Sequence, residues 1–391
     1  MFEDTNKSTG DNKILLIDGS QGGGSILRIS LAFSILTKTP IRIINIRAKR
    51  KPPGLKAQHL QGVFALADFC NGKIKCAYLG SKEIEFYPGN EFKKELNVKI
   101  STAGSVGLVL YPLALASLAT KELNVKINGG ATFGKWAPPI TFLENVTFEI
   151  LRRIGIDVEL NVIKHGFYPK GGALVEAKII AKEKLKSLKL ENIRELTEIK
   201  VFSIASKDLR KRNVAERQSN AFLSESKRIL EEMLRSESPL EIEKEECWNM
   251  DKNKNKIIEE ILEKVINKDK IIIKNDYVDS ICTGSGIVAC LRAGDEKTQE
   301  NYILGSDALG EPGIRAEELG AKAAKDLLSS YFSCSTVDEH LADQIIPFLS
   351  IAGSSTIIVP RITEHIENSI LLSKIFTNRE IKIENKRLEI F

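Results

Sequence analysis

Between residues 13 and 185 short β-branched runs, such as residues 41–46 and 123–127, alternate with longer stretches of helical apolar period, such as residues 26–36 and 55–70. Gly, Pro and Ser punctuate the changes of period. A chain of this pattern is an α/β fold built from repeated units. Two further helices are predicted over 108–119, entered from the turn Thr102-Ala-Gly-Ser-Val-Gly, and over 140–154, where Pro138 and Pro139 pre-set the first turn. HGFYPKGG, residues 165–172, reads as a strand-to-strand turn.

Near Lys182 the composition changes as Lys and Glu rise, so residues 186–332 read as a separate α/β unit. In it we predict strands over 197–206, 240–246, 279–293 and 301–305, with helices over 214–235 and 315–331. Residues 249–274 are mostly charged but carry an Ile/Leu stripe, Ile257, Ile258, Ile261, Leu262 and Ile266, the pattern of a solvated helix added to the unit. From about Ser333 the first pattern resumes and runs to residue 391. Residues 1–12 are polar and aperiodic, which predicts a disordered leader.

With 391 residues the chain can bury a substantial core without staples. Its six cysteines are scattered with no C-x-x-C pair, and the N-terminal residues have no secretory pattern, which points to a reducing, cytoplasmic setting and against structural zinc. No apolar run reaches the roughly 18 residues that cross a bilayer, so no membrane partner is expected. The net charge of +5 is mild, so any polyanion site must come from local clustering.

Such clustering exists. IRAKRKPPGLKAQHLQG, residues 46–62, packs Arg47, Lys49, Arg50, Lys51 and Lys56 around a Pro52-Pro53-Gly54 break that ends a strand and opens a helix. Cationic heads beside helix-terminal N–H groups suit phosphate. Upstream, IDGSQGGGSILRIS, residues 17–30, sets a Gly-rich turn before a helix that carries Arg28. Gly-rich turns alone are weak signals, because many simply end strands. The four histidines are His59, His165, His340 and His365. A histidine near a helix start more often caps or packs than reacts.

The two basic segments together closely resemble the start of the RNA 3′-terminal phosphate cyclases, whose pattern runs D-G-x-x-G-E-G-G-G-x-x-L-R, then I-R-A-x-R-x-x-P-G-L-x-x-Q-H-L. The resemblance extends over nearly everything from Lys13 to the C-terminus. It implies sheet-plus-paired-helices units of the cyclase and enolpyruvyl-transferase-like type, over residues 13–185 and 333–391, interrupted by a smaller thioredoxin-like insert. It also implies ATP as cofactor, with Mg²⁺ or Mn²⁺, and RNA 3′-phosphate ends as partners.

By the same resemblance His365, which follows LADQ, an apolar strand and PRITE, stands where the cyclases place the histidine that becomes adenylylated. Asp343 and Gln344 correspond to residues around the nucleotide ribose, although helix capping is the alternative. His340 stands where bacterial relatives have a tyrosine beside the nucleotide, and is expected as a pocket wall. Tyr302 matches an aromatic that stacks on adenine, and Pro138 a proline on the base's other side. Arg28, Arg47 and Arg50, with Gln58 nearby, match the phosphate-binding set. The metal-binding residues stay unassigned, since Gln21 passes directly into Gly22 where the family has Gly-Glu before its three glycines. That departure keeps open an alternative: a non-catalytic cyclase-like protein of ribosome assembly or rRNA processing. Enolpyruvyl transfer shares the implied fold, but the segment 46–62 argues against it.

Overall fold

The computed structural model describes residues 14–191, 195–235, 253–267, 270–294 and 301–391. The expected leader over 1–12 and strand over 240–246 lie outside these residues. The molecule is a mixed α/β structure with four small sheets and ten helices among the described residues.

The first unit runs β1 (Leu15–Asp18), α1 (Ser25–Thr37), β2 (Ile41–Ile44), α2 (Ala57–Cys70), β3 (Lys73–Lys75) and β4 (Ile84–Tyr87). Its sheet order is β1-β2-β4-β3, with β1 parallel to β2 and the other pairs antiparallel. The second unit repeats this with β5 (Glu95–Ser105), α3 (Gly107–Ala116), β6 (Glu122–Ala131), α4 (Ile140–Phe142), α5 (Phe148–Ile154), β7 (Ile156–Lys164) and β8 (Leu174–Ala181). The corresponding order, β5-β6-β8-β7, has the same parallel first pair.

A different sheet follows. It holds β9 (Leu196–Ser206), α6 (Val214–Leu234), α7 (Asn253–Asn267), β10 (Ile271–Val278), β11 (Ser285–Ala293), β12 (Tyr302–Leu309) and α8 (Ala316–Phe332). Its order is β10-β9-β11-β12, with only the β10–β9 pair parallel. Helices α6 and α8 cross so closely that a Cβ on Gly320 would stand 2.0 Å from the Gln218 carbonyl oxygen, so only glycine fits there. The described part of the charged stretch over 249–274 contains α7 and the start of β10. Ile258 and Ile261 of its Ile/Leu stripe are buried against the core, while Ile266 is exposed.

The third unit is α9 (Glu339–Ala352), β13 (Ser355–Ile358), α10 (Glu364–Thr377), β14 (Ile381–Glu384) and β15 (Arg387–Ile390), in order β13-β15-β14. The place of its first strand is taken by residues 188–190, which run parallel to β13. Thr356 N–H donates to Leu188 O and Leu190 N–H to Thr356 O, each at 2.8 Å. Thr336 Oγ1 donates to Leu190 O at 3.0 Å, so the chain leaves and re-enters this unit at adjacent points. That adjacency is the geometric condition for housing a folded insertion between two parts of one unit.

Of the described cysteines, Cys70, Cys76, Cys282 and Cys290 are free thiols, whereas Cys334 is disulfide-bonded. Among the described residues no helix is long and apolar enough to cross a membrane.

Candidate active site

Three helix starts build one wall. The glycine run delivers the chain to α1 at Ser25, and a Cβ on Gly24 would stand 2.6 Å from Arg28 Nη1 and 2.7 Å from His59 Nε2. Glycine there lets Arg28 and His59 close over the turn. His59 is buried, and its Nδ1 accepts the Lys56 N–H at 3.0 Å. Burial, then Arg28, Arg47 and Lys56, hold its pKa down at about 3, so this imidazole is neutral. Arg28 Nε is shielded from solvent and finds no hydrogen-bond partner among the described residues. Burial pulls the guanidinium down to about 10, against the opposing fields of Tyr111 and Asp343. It stays cationic at neutral pH. The Tyr111 hydroxyl beside it is likewise buried and unpartnered.

Helix α9 starts at Asp338, whose buried carboxylate accepts from the N–H groups of His340 at 3.0 Å and Leu341 at 2.9 Å. Its second oxygen accepts the Gly305 N–H at 2.8 Å, locking the α9 start to β12. One turn on, burial pushes Asp343 up to about 7, opposed by His340 and Arg28. Gln344 Oε1 accepts from Thr147 Oγ1 at 2.6 Å.

Helix α10 is capped by Thr363, which accepts the Ile366 N–H at 3.2 Å. His365, in that first turn, has its Nδ1 3.3 Å from Ser25 Oγ. Burial, Arg28, Arg50 and His340 lower its pKa, with Glu364 opposing. The imidazole is neutral at pH 7 with Nε2 left free for chemistry.

Ser25, Arg28, Tyr111, Asp338, Asp343, Gln344 and His365 face one cavity of about 1150 Å³, while His59 lies behind its lining. The loop 134–138 and the second half of β12 form the facing wall. Asp307 on that wall is pushed up to about 6 by burial, with His340 and Lys322 opposing. The described residues include no group of three or more His, Cys, Asp or Glu side chains placed to hold a metal ion.

A family model described as RNA 3′-terminal phosphate cyclase matches residues 20–383. The chain belongs to this family. Among curated relatives it is similar to the RNA 3′-terminal phosphate cyclase of Pyrococcus furiosus, 37% identical over 381 residues and covering 95% of each chain. The cyclase of Methanothermobacter thermautotrophicus is 33% identical over 376 residues, covering 96% of this chain and 97% of the relative. That of Methanopyrus kandleri is 35% identical over 379 residues, with the same coverage.

Against the site expected for a cyclase, the structure brings His365, His340, Asp343, Gln344, Pro138 and Arg28 to the one cavity. Arg50 is exposed at its edge, close enough for its charge to act on His365. Gln58 is half-buried beside Gly104 and does not line the cavity.

Two expectations change. Arg47 turns inward, is buried, and donates through Nη1 to Gly54 O at 2.8 Å and Pro52 O at 3.3 Å. It braces the Pro-Pro-Gly turn, because the break leaves backbone carbonyls that need a donor. Tyr302 is fully buried at the start of β12, while the cavity meets only the strand's other end, from Gly305 to Leu309. It is not placed to stack on a ligand there.

Ser25, Tyr111, Asp338 and Trp136 were not singled out by sequence. Asp338 alone carried a local signal, an Asp immediately before a helical apolar run.

Proposed function

We propose that this protein converts an RNA 3′-terminal phosphate to a 2′,3′-cyclic phosphodiester at the expense of ATP, through an adenylylated His365. The observation that carries the reading is the neutral His365, tied by Nδ1 to Ser25, facing a cavity that also holds a half-buried Arg28 whose shielded Nε–H has no partner among the described residues. With Nδ1–H donating to Ser25 Oγ, the Nε2 lone pair attacks the α-phosphorus of ATP. The bond to the bridging oxygen breaks, pyrophosphate leaves with the electron pair, and the imidazole gives up its Nδ1 proton. Arg28 is suited to hold α-phosphate oxygens, since a guanidinium in a water-poor site binds an oxyanion strongly. The field of Asp343 favours the charged form of Arg28.

An oxygen of the RNA 3′-phosphate then attacks the same phosphorus and displaces the imidazole, which recovers its proton. The vicinal 2′-hydroxyl attacks the RNA phosphorus, loses its proton and expels AMP. Each step is an in-line displacement in which positioning and charge neutralisation dominate. Pro138 offers a rigid apolar ring and His340 a flat one to the adenine from the cavity wall. Mg²⁺ or Mn²⁺ would enter on the triphosphate oxygens, since the described side chains form no cage of their own. The missing family Glu leaves this reading intact, because neither Arg28 nor His365 depends on it.

Incubation with ATP labelled at the α-phosphate, followed by a denaturing gel, tests the proposal. We expect an acid-labile, base-resistant label lost in His365→Ala, and cyclic ends on 3′-phosphorylated RNA. His340→Ala should keep the label at reduced nucleotide affinity. Labelling that survives His365→Ala but not His340→Ala would reassign the nucleophile.

A further inference from the structure

The loop from β6 to α4 carries an aromatic side chain that the adenylylation chemistry does not use. Trp136 is 80% exposed on the lip of the cavity, with its backbone at φ +62, a left-handed conformation uncommon for so large a residue. A strained backbone that holds an indole out in water points to a use for the ring. Lys56 Nζ lies 5.8 Å and Lys135 Nζ 5.6 Å from its centroid. Lys135 also lies 5.3 Å from the ring of Tyr168, which is 44% exposed. One ammonium thus sits between two open aromatic faces. Among the described residues Lys135 is paired with Glu311 at 2.9 Å, and two ammoniums against this one carboxylate leave the surroundings of the rings cationic.

Resting on the reading of an RNA 3′-end as substrate, we propose that Trp136 is a stacking platform for a nucleobase of the incoming single strand. Tyr168 offers the face for a neighbouring base, and Lys56 and Lys135 lie against the intervening phosphate. Alternating aromatic and cationic groups suit a flexible polyanion whose bases are unstacked. A protein surface would bury the rings against apolar groups and would have little use for ammoniums held beside them. The platform stands at the cavity lip, whereas the terminal phosphate belongs inside, so the base held is one of the last few rather than a distant one.

The test is anisotropy of 5′-labelled, 3′-phosphorylated oligoribonucleotides, intact or abasic at one of the last three positions, with full-length native, Trp136→Ala and Trp136→Phe proteins. Stacking predicts that Trp136→Ala weakens intact RNA by about 5- to 150-fold, while Trp136→Phe keeps most of the affinity. One abasic position should weaken native binding by a similar factor, and Trp136→Ala should then cost nothing further on that RNA. The last comparison separates stacking from a merely structural role, since a distorted loop would weaken both RNAs alike. Equal binding by native and Trp136→Ala proteins, or equal losses on intact and abasic RNA, would overturn the platform alone. Native protein with no affinity for any of these 3′-phosphorylated RNAs would overturn the substrate reading and the platform with it.

Discussion

Replacing Asp343 with asparagine should change how stability depends on pH more than stability itself. Folded Asp343 holds its proton to about 7, whereas an ordinary aspartate gives it up near 3.8. Over that window the folded state binds more protons than the unfolded one, so stability contributed by this group is full at low pH and is lost as pH rises through about 7. About three units at roughly 1.36 kcal/mol each set a ceiling near 4 kcal/mol. About 2.5 kcal/mol of it falls between pH 5 and 8. Asparagine cannot ionise, so Asp343→Asn should lack that decline. The attraction of the ionised carboxylate to Arg28, which stays cationic across this range, is already contained in that pKa and adds no separate offset. Asp307, His59 and His165 also titrate abnormally but are common to both proteins, whereas Asp338 and His340 act directly on Asp343 and enter the difference with it. Urea unfolding of both proteins at half-unit steps from pH 5 to 8 gives that difference directly. Parallel stability curves would show that Asp343 is ionised throughout and that its pairing with buried Arg28 is misjudged.

The pKa of His365 is lowered, so adenylylation in a single turnover should stay level as pH falls through 6.5 and decline only below it; a midpoint at or above 6.5 would contradict a nucleophile crowded by cations. Arg47→Ala should destabilise the fold by roughly 1.5–3 kcal/mol by removing a buried charged donor. Exposed Arg50→Ala should leave unfolding within about 0.5 kcal/mol of native while impairing transfer to RNA; the reverse pattern would show that the inward turn of Arg47 is incidental. Inserting Gly-Glu between Gln21 and Gly22 should lower the Mg²⁺ or Mn²⁺ concentration for half-maximal labelling, because a carboxylate raises local cation occupancy. An unchanged metal titration would mean that the Gln21 Oε1 to Lys49 Nζ bond, at 2.6 Å, marks a remodelled loop.

The parts of this molecule legible in sequence are those where a local rule and the tertiary outcome coincide. The α1 and α2 helices emerge within a few residues of their predicted bounds, because their apolar period is also the face they bury. Residues 188–190 show the opposite case: three residues acting as a strand carry no period, and only their partner β13, far along the chain, defines them. The stripe in α7 was visible, but the partner that makes it core, α6, was not, since amphipathicity says that a face is apolar and not what covers it.

The same division runs through the site. His365 and Asp343 stand at motif positions, and the structure places both at one cavity. Arg47 and Tyr302 fit the motif equally well, yet one braces a turn and the other lies in the core. What separates the two pairs is side-chain direction. An arginine beside a broken backbone can satisfy carbonyls or a phosphate, and sequence is silent on which way it turns. Trp136 inverts the problem: as an apolar residue in a Gly/Pro loop it carried no functional signal, and only its exposure beside two ammoniums marks it. Exposure and the company of charges, which residue type alone does not record, are therefore what a motif-led reading of this chain passes over.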